Sequence, residues 1–209
     1  MAEASPTSCT ARDLFAPHEP ITNTRDRIIV TALNRFYEHG FHAVGLDQIL
    51  RDVGVTKTTF YNHFESKDEL IIEAIRVRDR WETESFRRAV ERFTDGTPRG
   101  TLLASFDALD QWFNHPQYEG CLFITACAEF PSPSDPIHQA AAAHYAKAST
   151  VFEDLCRKAG ASDPATLARQ IEMLLKGAVA VRMVTGDNTA ARQAREMAEA
   201  MLERCGVIA

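Results

Sequence analysis

The chain has 209 residues, of which 25% are charged and 45% hydrophobic, with a formal net charge of −6. This length is sufficient for one large domain or two small domains with a buried core. No apolar run approaches the roughly 18 residues of a membrane helix, and the first twenty residues carry three prolines rather than a basic start followed by an apolar segment. We therefore expect a cytoplasmic protein with no membrane span and no signal peptide.

The five cysteines give no sign of a disulfide framework or a zinc site. They are odd in number, scattered from Cys9 to Cys205, and never spaced as C-x-x-C. A structural zinc site needs closely spaced ligand pairs, and a disulfide framework needs an even set. We expect reduced thiols, no metal and no cofactor.

The negative charge of the chain is unevenly distributed. Between Thr24 and Lys67 there are six basic and five acidic residues, a net charge of +1, so the rest of the chain carries −7. A near-neutral segment attached to an acidic remainder would keep DNA away from all of the protein except that segment. The charge pattern therefore allows a DNA-binding head.

The first helix is predicted to follow an unstructured start. Residues 1–23 are rich in Ser, Thr and Pro and have no apolar period, which predicts a flexible arm. From Thr24 to Tyr37 apolar residues recur at helical spacing, and Gly40 stands where a left-handed helix end is expected.

The next two predicted helices are short and are joined by a glycine. One covers about Leu46–Val53, Gly54 ends it, and Thr56 is the candidate N-cap of the other because its hydroxyl can accept a free backbone N–H. Two short helices around a glycine turn are typical of the helix-turn-helix motif, in which the second helix reads DNA. Phe60 and Phe64 share one face of that second helix and should pack on the first predicted helix.

The other side chains of this helix are expected to point partly or wholly outward. They carry hydroxyl, phenol, amide, imidazole and ammonium groups, and they are Lys57, Thr58, Thr59, Tyr61, Asn62 and His63. Such groups suit base edges and phosphates. The following Ser66-Lys67-Asp68-Glu69 is a capping box, and a helix N-terminus beside a lysine suits a phosphate. Taken singly, Tyr61 and His63 could be boundary aromatics and Lys67 a surface lysine; their combination favours DNA contact.

These residues resemble the DNA-binding signature of the TetR family of bacterial transcriptional regulators. Gly54-Val55-Thr56-Lys57-Thr58-Thr59-Phe60-Tyr61-Asn62-His63-Phe64, followed by Ser66-Lys67-Asp68-Glu69-Leu70, is similar to G-V-S-x-x-T-x-Y-x-H-F-x-x-K-x-x-L. The resemblance covers about residues 24–75. It implies a three-helix helix-turn-helix head at residues 24–70, a long connecting fourth helix, and a helical ligand-binding and dimerisation domain at residues 71–209. With the helices predicted below, we expect an all-α fold of about nine helices.

The resemblance also implies roles for single residues. Lys57, Thr58, Thr59, Tyr61, Asn62 and His63 would face the major groove, and in many members the positions of Tyr61, His63 and Lys67 hold phosphates. The chain departs from the pattern at Gly45-Leu46, where many members begin the second helix with Ser or Thr. A hydroxyl contact to phosphate is therefore not expected there.

Six further helices are predicted after Leu70, and no strand pattern competes with them. The long helix should run to about Phe93, where Asp95-Gly96-Thr97-Pro98 ends it. Asp before Pro supplies both an N-cap and a first-turn proline at two later helix starts. The five later helices are predicted at Thr101–Asn114, Gly120–Phe130, Asp135 to Gly160, Asp163 to about Thr185, and Thr189–Cys205.

The last two predicted helices carry apolar and small residues that allow another helix to approach closely. These residues are Leu167, Ile171, Leu174, Leu175, Ala178, Ala194, Met197, Ala198 and Met201. They could form the core of a single chain. In the TetR family the corresponding helix pair builds a four-helix dimer interface, so the resemblance implies a homodimer. A two-fold dimer can present two recognition helices about 34 Å apart, in successive major grooves.

The middle helices offer an aromatic and sulfur-rich set that suits a cavity for a small molecule. The set contains Trp112, Phe113, Cys121, Phe123, Thr125, Cys127, Glu129, Phe130, His144, Tyr145 and Phe152. Each could equally be structural core, and the resemblance implies a cavity in this region rather than these particular residues. We expect an apolar or aromatic effector with one hydrogen-bonding group, met by His144, Tyr145 or Thr125.

The sequence leaves two other functions open. Oxidation or electrophile sensing through Cys121 or Cys127 would need a lowered thiol pKa, and no Lys or Arg lies near them in sequence. A helical enzyme could pair Cys121 with His144, or His115 with Glu119, but the chain has no G-x-S-x-G, glycine-rich phosphate loop or H-E-x-x-H. We expect a non-enzymatic regulator that binds an operator in double-stranded DNA, and repression is favoured over activation.

Overall fold

The computed structural model describes residue 21 and residues 23–207, and this part of the chain is all-helical, with nine helices and no strand. The helices are α1 (Thr24–His39), α2 (Leu46–Val53), α3 (Lys57–Tyr61), α4 (Lys67–Phe93), α5 (Pro98–Phe113), α6 (Leu122–Glu129), α7 (Pro136–Lys158), α8 (Pro164–Thr185) and α9 (Ala190–Arg204). The arm predicted at residues 1–23 lies almost wholly outside the described residues. The all-α prediction is confirmed.

Helices α1 to α3 form a small head around an apolar centre. Ile29 and Phe36 of α1 and Ile49 of α2 are buried together with Phe60 and Phe64. The rings of the two phenylalanines stack with their centroids 5.4 Å apart. As predicted, this pair fixes which side of α3 faces inward.

Side-chain caps set the starts of most helices. The Thr56 hydroxyl accepts the Thr59 N–H at 3.1 Å, and the Ser66 hydroxyl accepts the Glu69 N–H at 3.1 Å. In the predicted capping box Glu69 reaches back one residue further than expected, to the N–H of Glu65. Each cap satisfies a backbone donor that the helix itself leaves unpaired.

One helix starts earlier than predicted, and another is shorter. The α5 helix begins at Pro98 rather than Thr101, because the Thr97 hydroxyl accepts the Gly100 N–H at 2.9 Å and Pro98 suits the first turn. The α6 helix begins two residues after Gly120, which has φ +83° and turns the chain before the helix.

The long α4 helix connects the head to the body, which we define as α5 to α9. It packs against α1 at its beginning and against α5 and α7 further along. In the body α8 packs on α7 and α9, and α9 packs on α5. One apolar cluster runs without interruption from Ile28 in α1 to Val207. None of the described helices is long and apolar enough to cross a bilayer.

Candidate DNA-binding surface and ligand cavity

The short α3 helix and the turn that follows it present polar side chains to solvent on the side opposite Phe60. Lys57, Thr58, Asn62 and His63 are exposed, and Tyr61 is 57% exposed despite its size. Thr59 is half-buried, and its hydroxyl lies 3.0 Å from that of Thr56. The predicted base-reading residues therefore lie together on or at the edge of one surface.

The ammonium of Lys57 forms an ion pair with the preceding helix. Its Nζ lies 2.9 Å from Oδ1 of Asp47, and the hydrogen bond to that carboxylate raises the pKa of Lys57. Both side chains are mostly exposed, and exposed pairs of this kind contribute little to stability. Lys57 can therefore exchange this carboxylate for a phosphate or a base acceptor at small cost.

The predicted phosphate ligand Lys67 is already engaged within the chain. Its Nζ donates to the carbonyl oxygen of Phe41 at 2.6 Å, and burial lowers its pKa. An ammonium has three donors, so this bond leaves others for a phosphate. Lys67 thus stands between the possible DNA surface and the loop that follows α1.

That loop is held by the last residue of α6. The two carboxylate oxygens of Glu129 accept the backbone N–H groups of Phe41 at 2.9 Å and His42 at 2.8 Å. The His42 ring lies 3.0 Å from the Glu129 carbonyl oxygen and 4.6 Å from the Phe130 ring. We call Phe41, His42, Glu129 and Phe130 the head–body junction. Glu129 and Phe130, which the sequence grouped with the cavity, are thus parts of a contact to the head.

Gly40 makes this junction sterically possible. Its φ of +78° is strained for any other residue, and a Cβ there would lie 2.5 Å from Oε1 of Glu129. A side chain at position 40 would therefore displace the carboxylate that holds the loop.

A cavity of about 490 Å³ lies between α4, α5, α7 and α8, within the size range of small-molecule sites. Of the predicted residues, Trp112, Cys121, His144, Tyr145 and Phe152 line it. Sequence reasoning missed the contributions of α4 and α8, such as Phe86, Glu172 and Leu175. The α4 and α8 helices also pack on the apolar core, so the spacing of their apolar residues does not distinguish positions that line a cavity from positions in the core.

Six of the predicted residues do not line this cavity: Glu129 and Phe130 of the head–body junction, and four others. Phe113 is fully buried against Trp112 and Tyr118, and Phe123 is fully buried with its ring stacked 3.8 Å from that of His144. The Thr125 hydroxyl donates to the Cys121 carbonyl oxygen at 3.2 Å within its own helix. Cys127 is half-buried and packs against the apolar core.

Glu82, His144 and Lys147 line the edge of the cavity and belong to a network of ion pairs and hydrogen bonds on α4 and α7, in which Asp79 lies behind the lining residues. Asp79 accepts hydrogen bonds from Lys147 and, at 2.8 Å, from Nδ1 of His144. Burial opposes the charged form of Asp79, but the hydrogen bonds from Lys147 and His144 outweigh it, so its pKa is lowered. Glu82, one turn along α4, accepts from Arg78 at 3.2 Å. The carboxylates of this edge are therefore paired with cations.

The cysteines of the body are poor candidates for reactive thiols. Cys121 lies 3.3 Å from the Tyr145 hydroxyl, and burial raises its pKa to about 11. Burial also raises the pKa of Cys127. Cys121, Cys127, Cys156 and Cys205 form no disulfide, and the described residues contain no group of three His, Cys, Asp or Glu side chains that could hold a metal ion.

The predicted dimer residues divide between the core of the chain and its surface. Leu167, Ile171, Leu175, Ala178, Ala194 and Ala198 are buried within the single chain, and Leu174 and Met201 are half-buried. Of the nine, Met197 is the one that is mostly exposed. The periodicity correctly marked apolar faces, but these faces pack largely on the chain's own helices.

A different stripe of α8 is apolar and exposed. Met173 is 71% exposed, Val184 is 85% exposed, and Val181 lies between them on the same side. The exposed Gly177 and Ala180 separate these side chains with small residues. This stripe, which we call the α8 face, is the apolar surface of α8 that a second copy could reach.

Two family models match the chain, one over the head and one over the body. The model described as "Bacterial regulatory proteins, tetR family" matches residues 28–74, and the model described as "Tetracyclin repressor-like, C-terminal domain" matches residues 96–198. The first contains all seven predicted DNA-contacting residues.

Individual relatives are similar over much of the chain. The HTH-type transcriptional regulator YjdC of Escherichia coli is 27% identical over 183 residues, which cover 87% of this chain and 95% of the relative. The HTH-type transcriptional repressor NemR of Escherichia coli is 26% identical over 121 residues, covering 56% of this chain and 59% of the relative. The crystal structure of SCO4454, a TetR-family transcriptional regulator from Streptomyces coelicolor, has a TM-score of 0.78 at 28% identity, covering 89% of this chain and 91% of that one.

Proposed function

The chain belongs to the TetR family of bacterial regulatory proteins, and we propose that it is a cytoplasmic transcriptional repressor that a ligand releases from DNA. It binds a pseudo-palindromic operator in double-stranded DNA as a homodimer, and a small, largely apolar effector releases it. The observation that carries the proposal is the outward surface of α3, where Lys57, Thr58, Tyr61, Asn62 and His63 are exposed opposite the buried Phe60.

The chemistry of this surface suits a duplex. The Asn62 amide can donate to and accept from one adenine edge, and threonine hydroxyls and methyls can contact bases. Tyr61 and His63 reach outward from the end of the helix, where phosphates would flank the groove. We propose that Thr58, Thr59 and Asn62 read bases and that Tyr61, His63 and Lys67 hold phosphates.

The α8 face supports the homodimer. Exposed apolar side chains separated by Gly177 and Ala180 allow a second helix to approach closely, and a two-fold axis would bring two copies of the face together. We propose that Met173, Val181 and Val184 of α8, with Met197 of α9, form the centre of this interface. Replacement of Val184 by Asp should convert a dimer into a 23.3 kDa monomer in sedimentation experiments.

Release by an effector needs a connection from the cavity to the head, and two contacts support one. Arg78 binds Glu82 at the cavity edge and lies 5.0 Å from the Tyr37 ring of α1. The head–body junction joins α6 to the loop after α1. An effector that binds one arrangement of α4 and α6 better than the other would shift the separation of the two heads, to the extent of its differential affinity.

We favour repression over activation. A protein that leaves its operator when it binds an effector most simply blocks transcription while it occupies the operator. The similar protein NemR is named a repressor. The alternative in which Cys121 or Cys127 senses oxidants or electrophiles is weaker, since burial raises both thiol pKa values and so limits the reactive thiolate.

The base-reading role can be tested on a duplex selected by the wild-type protein from a random pool. Affinities are measured for every single-base variant of that duplex, with wild type, Asn62→Ala and the control Glu153→Gln. The Glu153 side chain is 43% exposed on α7, forms an ion pair with Arg157, and lies outside both the head and the cavity. Asn62→Ala should change the ranking of base variants and Glu153→Gln should not; an unchanged ranking in Asn62→Ala would refute the assignment.

A further inference from the structure

One carboxylate oxygen in the cavity wall has no hydrogen-bond donor among the described residues. Glu172 of α8 is 5% exposed, and its Oε2 accepts from Nζ of Lys176, one turn further on, at 2.8 Å. Its Oε1 is buried and unpartnered. The residue lines the cavity between α4, α5, α7 and α8.

A buried carboxylate oxygen without a donor is energetically costly. Buried polar atoms in folded proteins nearly always have a partner, and a charged group left unsatisfied costs more than a neutral one. The walls near Glu172 are mainly apolar, with Leu175, Val179 and Phe152 among them. Because Glu172 lines the cavity, a ligand bound there can supply the missing donor.

The surrounding charges decide which kind of donor fits. Lys176 already neutralises Glu172, and its ammonium lies 4.9 Å from the Tyr145 ring. Behind the cavity edge Asp79 is paired with Lys147 and His144, and at the edge Glu82 is paired with Arg78. Arg87 and Glu91, which also line the cavity, are paired with each other. A cationic ligand would add an uncompensated charge to a balanced, apolar site, which is unfavourable.

We propose that the effector is a neutral apolar or aromatic molecule with a hydroxyl or N–H donor, and that Oε1 of Glu172 accepts that donor. Phe86, Trp112, Tyr145 and Phe152 supply aromatic walls for the body of such a molecule. A hydrogen bond from a neutral hydroxyl to a carboxylate is stronger than one between neutral groups, so Glu172 selects for the donor. This proposal concerns the class of ligand that the cavity binds. That such a ligand controls DNA binding rests on the proposed function.

The test compares three probes that share one ring system. A naphthol has a hydroxyl donor, its methyl ether has none, and naphthylmethylamine is a cation at neutral pH. Dissociation constants are measured by titration calorimetry for the full chain as wild type, Glu172→Met, Glu172→Gln and the control Glu153→Gln. Glu153 and Arg157 form an i,i+4 ion pair like that of Glu172 and Lys176, but on the exposed side of α7.

Wild type should bind the naphthol about tenfold more tightly than its methyl ether, as expected for one hydrogen bond to a charged group. The amine should bind more weakly than the naphthol. Glu172→Met should remove the preference for the hydroxyl, and Glu153→Gln should keep it. Glu172→Gln keeps the shape of the side chain and serves as the second variant if Glu172→Met unfolds. It should reduce the preference for the naphthol over its methyl ether, because a neutral amide accepts less strongly than a carboxylate and can donate to the ether oxygen.

Several results would overturn the inference. They are equal wild-type affinity for naphthol and ether, an unchanged preference in the folded Glu172 variants, tighter binding of the amine, or no binding of any probe. Retardation of the selected duplex by wild-type protein without a probe is measured separately. Absence of that retardation would refute the proposed function, whereas retardation together with any of the four results above would refute only the ligand class.

Discussion

Replacement of Glu129 by Gln should loosen the loop after α1 while leaving the rest of the fold in place. The carboxylate accepts two backbone N–H groups, from Phe41 at 2.9 Å and His42 at 2.8 Å. A glutamine can offer its one oxygen to one of them, but it turns its own NH₂ toward the other. One charge-assisted hydrogen bond is therefore lost and the second becomes neutral.

The magnitude follows from the exposure of the site. Hydrogen bonds to charged groups contribute about 1.5–3 kcal/mol each, and Glu129 is half-buried, so the lower end of that range applies. We expect a loss of about 1.5 kcal/mol in the free energy of unfolding. For a chain of this size that corresponds to a fall of roughly 3–6 °C in Tm.

Amide hydrogen exchange measures the effect where it arises. Whichever N–H of Phe41 and His42 loses its acceptor should exchange about tenfold faster in Glu129→Gln, since about 1.4 kcal/mol corresponds to a factor of ten. The amides in the centre of α9 should change far less, and Glu153→Gln should leave the exchange of Phe41 and His42 unaltered. Exchange of these two amides at the wild-type rate in Glu129→Gln would refute the head–body junction.

Three further outcomes are expected. Lys67→Ala should weaken binding to all duplexes and reduce the salt dependence of the affinity by about one ion, as the loss of a phosphate contact does. The substitution should also lower Tm, because Nζ of Lys67 donates to the Phe41 carbonyl oxygen. Unchanged affinity at both low and high salt would contradict the phosphate contact. Asp79→Asn should lower the free energy of unfolding by roughly 1–2 kcal/mol at neutral pH. Hydrogen bonds from α7 lower the pKa of Asp79, so its contribution to the free energy of unfolding is present above its ordinary pKa and is lost as pH falls through the folded pKa. In urea titrations, the difference in the free energy of unfolding between wild type and Asp79→Asn should therefore shrink below about pH 4. A difference that does not depend on pH would count against the network. A mild thiol-alkylating agent should leave duplex affinity within about twofold, because burial keeps Cys121 protonated; loss of binding on modification of this thiol would revive the sensing alternative.

Local chemistry explains why the helix boundaries could be predicted. Thr56, Ser66, Asp135 and Asp163 each accept a backbone N–H two or three residues further along the chain. Such caps depend on neighbours in sequence, so a single segment contains the whole signal. The outward surface of α3 was predictable for the same reason, because Phe60 and Phe64 lie one turn apart and fix its inner side.

Contacts between residues far apart in the chain could not be predicted from the sequence. Glu129 meets the amide of Phe41 across 88 positions, and no local pattern marks a carboxylate at a helix end as a partner of a distant loop. Likewise, nothing local distinguishes Glu172 from an exposed member of an i,i+4 pair with Lys176. The unpaired Oε1 exists because the surrounding helices bury it.

Apolar periodicity also could not tell the core from an interface. Ile171 and Ala178 lie on the buried side of α8, and Met173 and Val184 lie on its exposed side. The sequence marks both sides as apolar, and periodicity alone does not show which side is buried. The structure separates the buried side from the exposed one, and we propose that a second copy covers the exposed side.

We propose that two copies of α3 read one operator. The duplexes that wild-type protein selects from a random pool can be sequenced to test this directly. We expect an inverted repeat whose half-site centres lie about one helical turn, or a multiple of one turn, apart. Recovery of a single unrepeated motif, or of no motif at all, would contradict it.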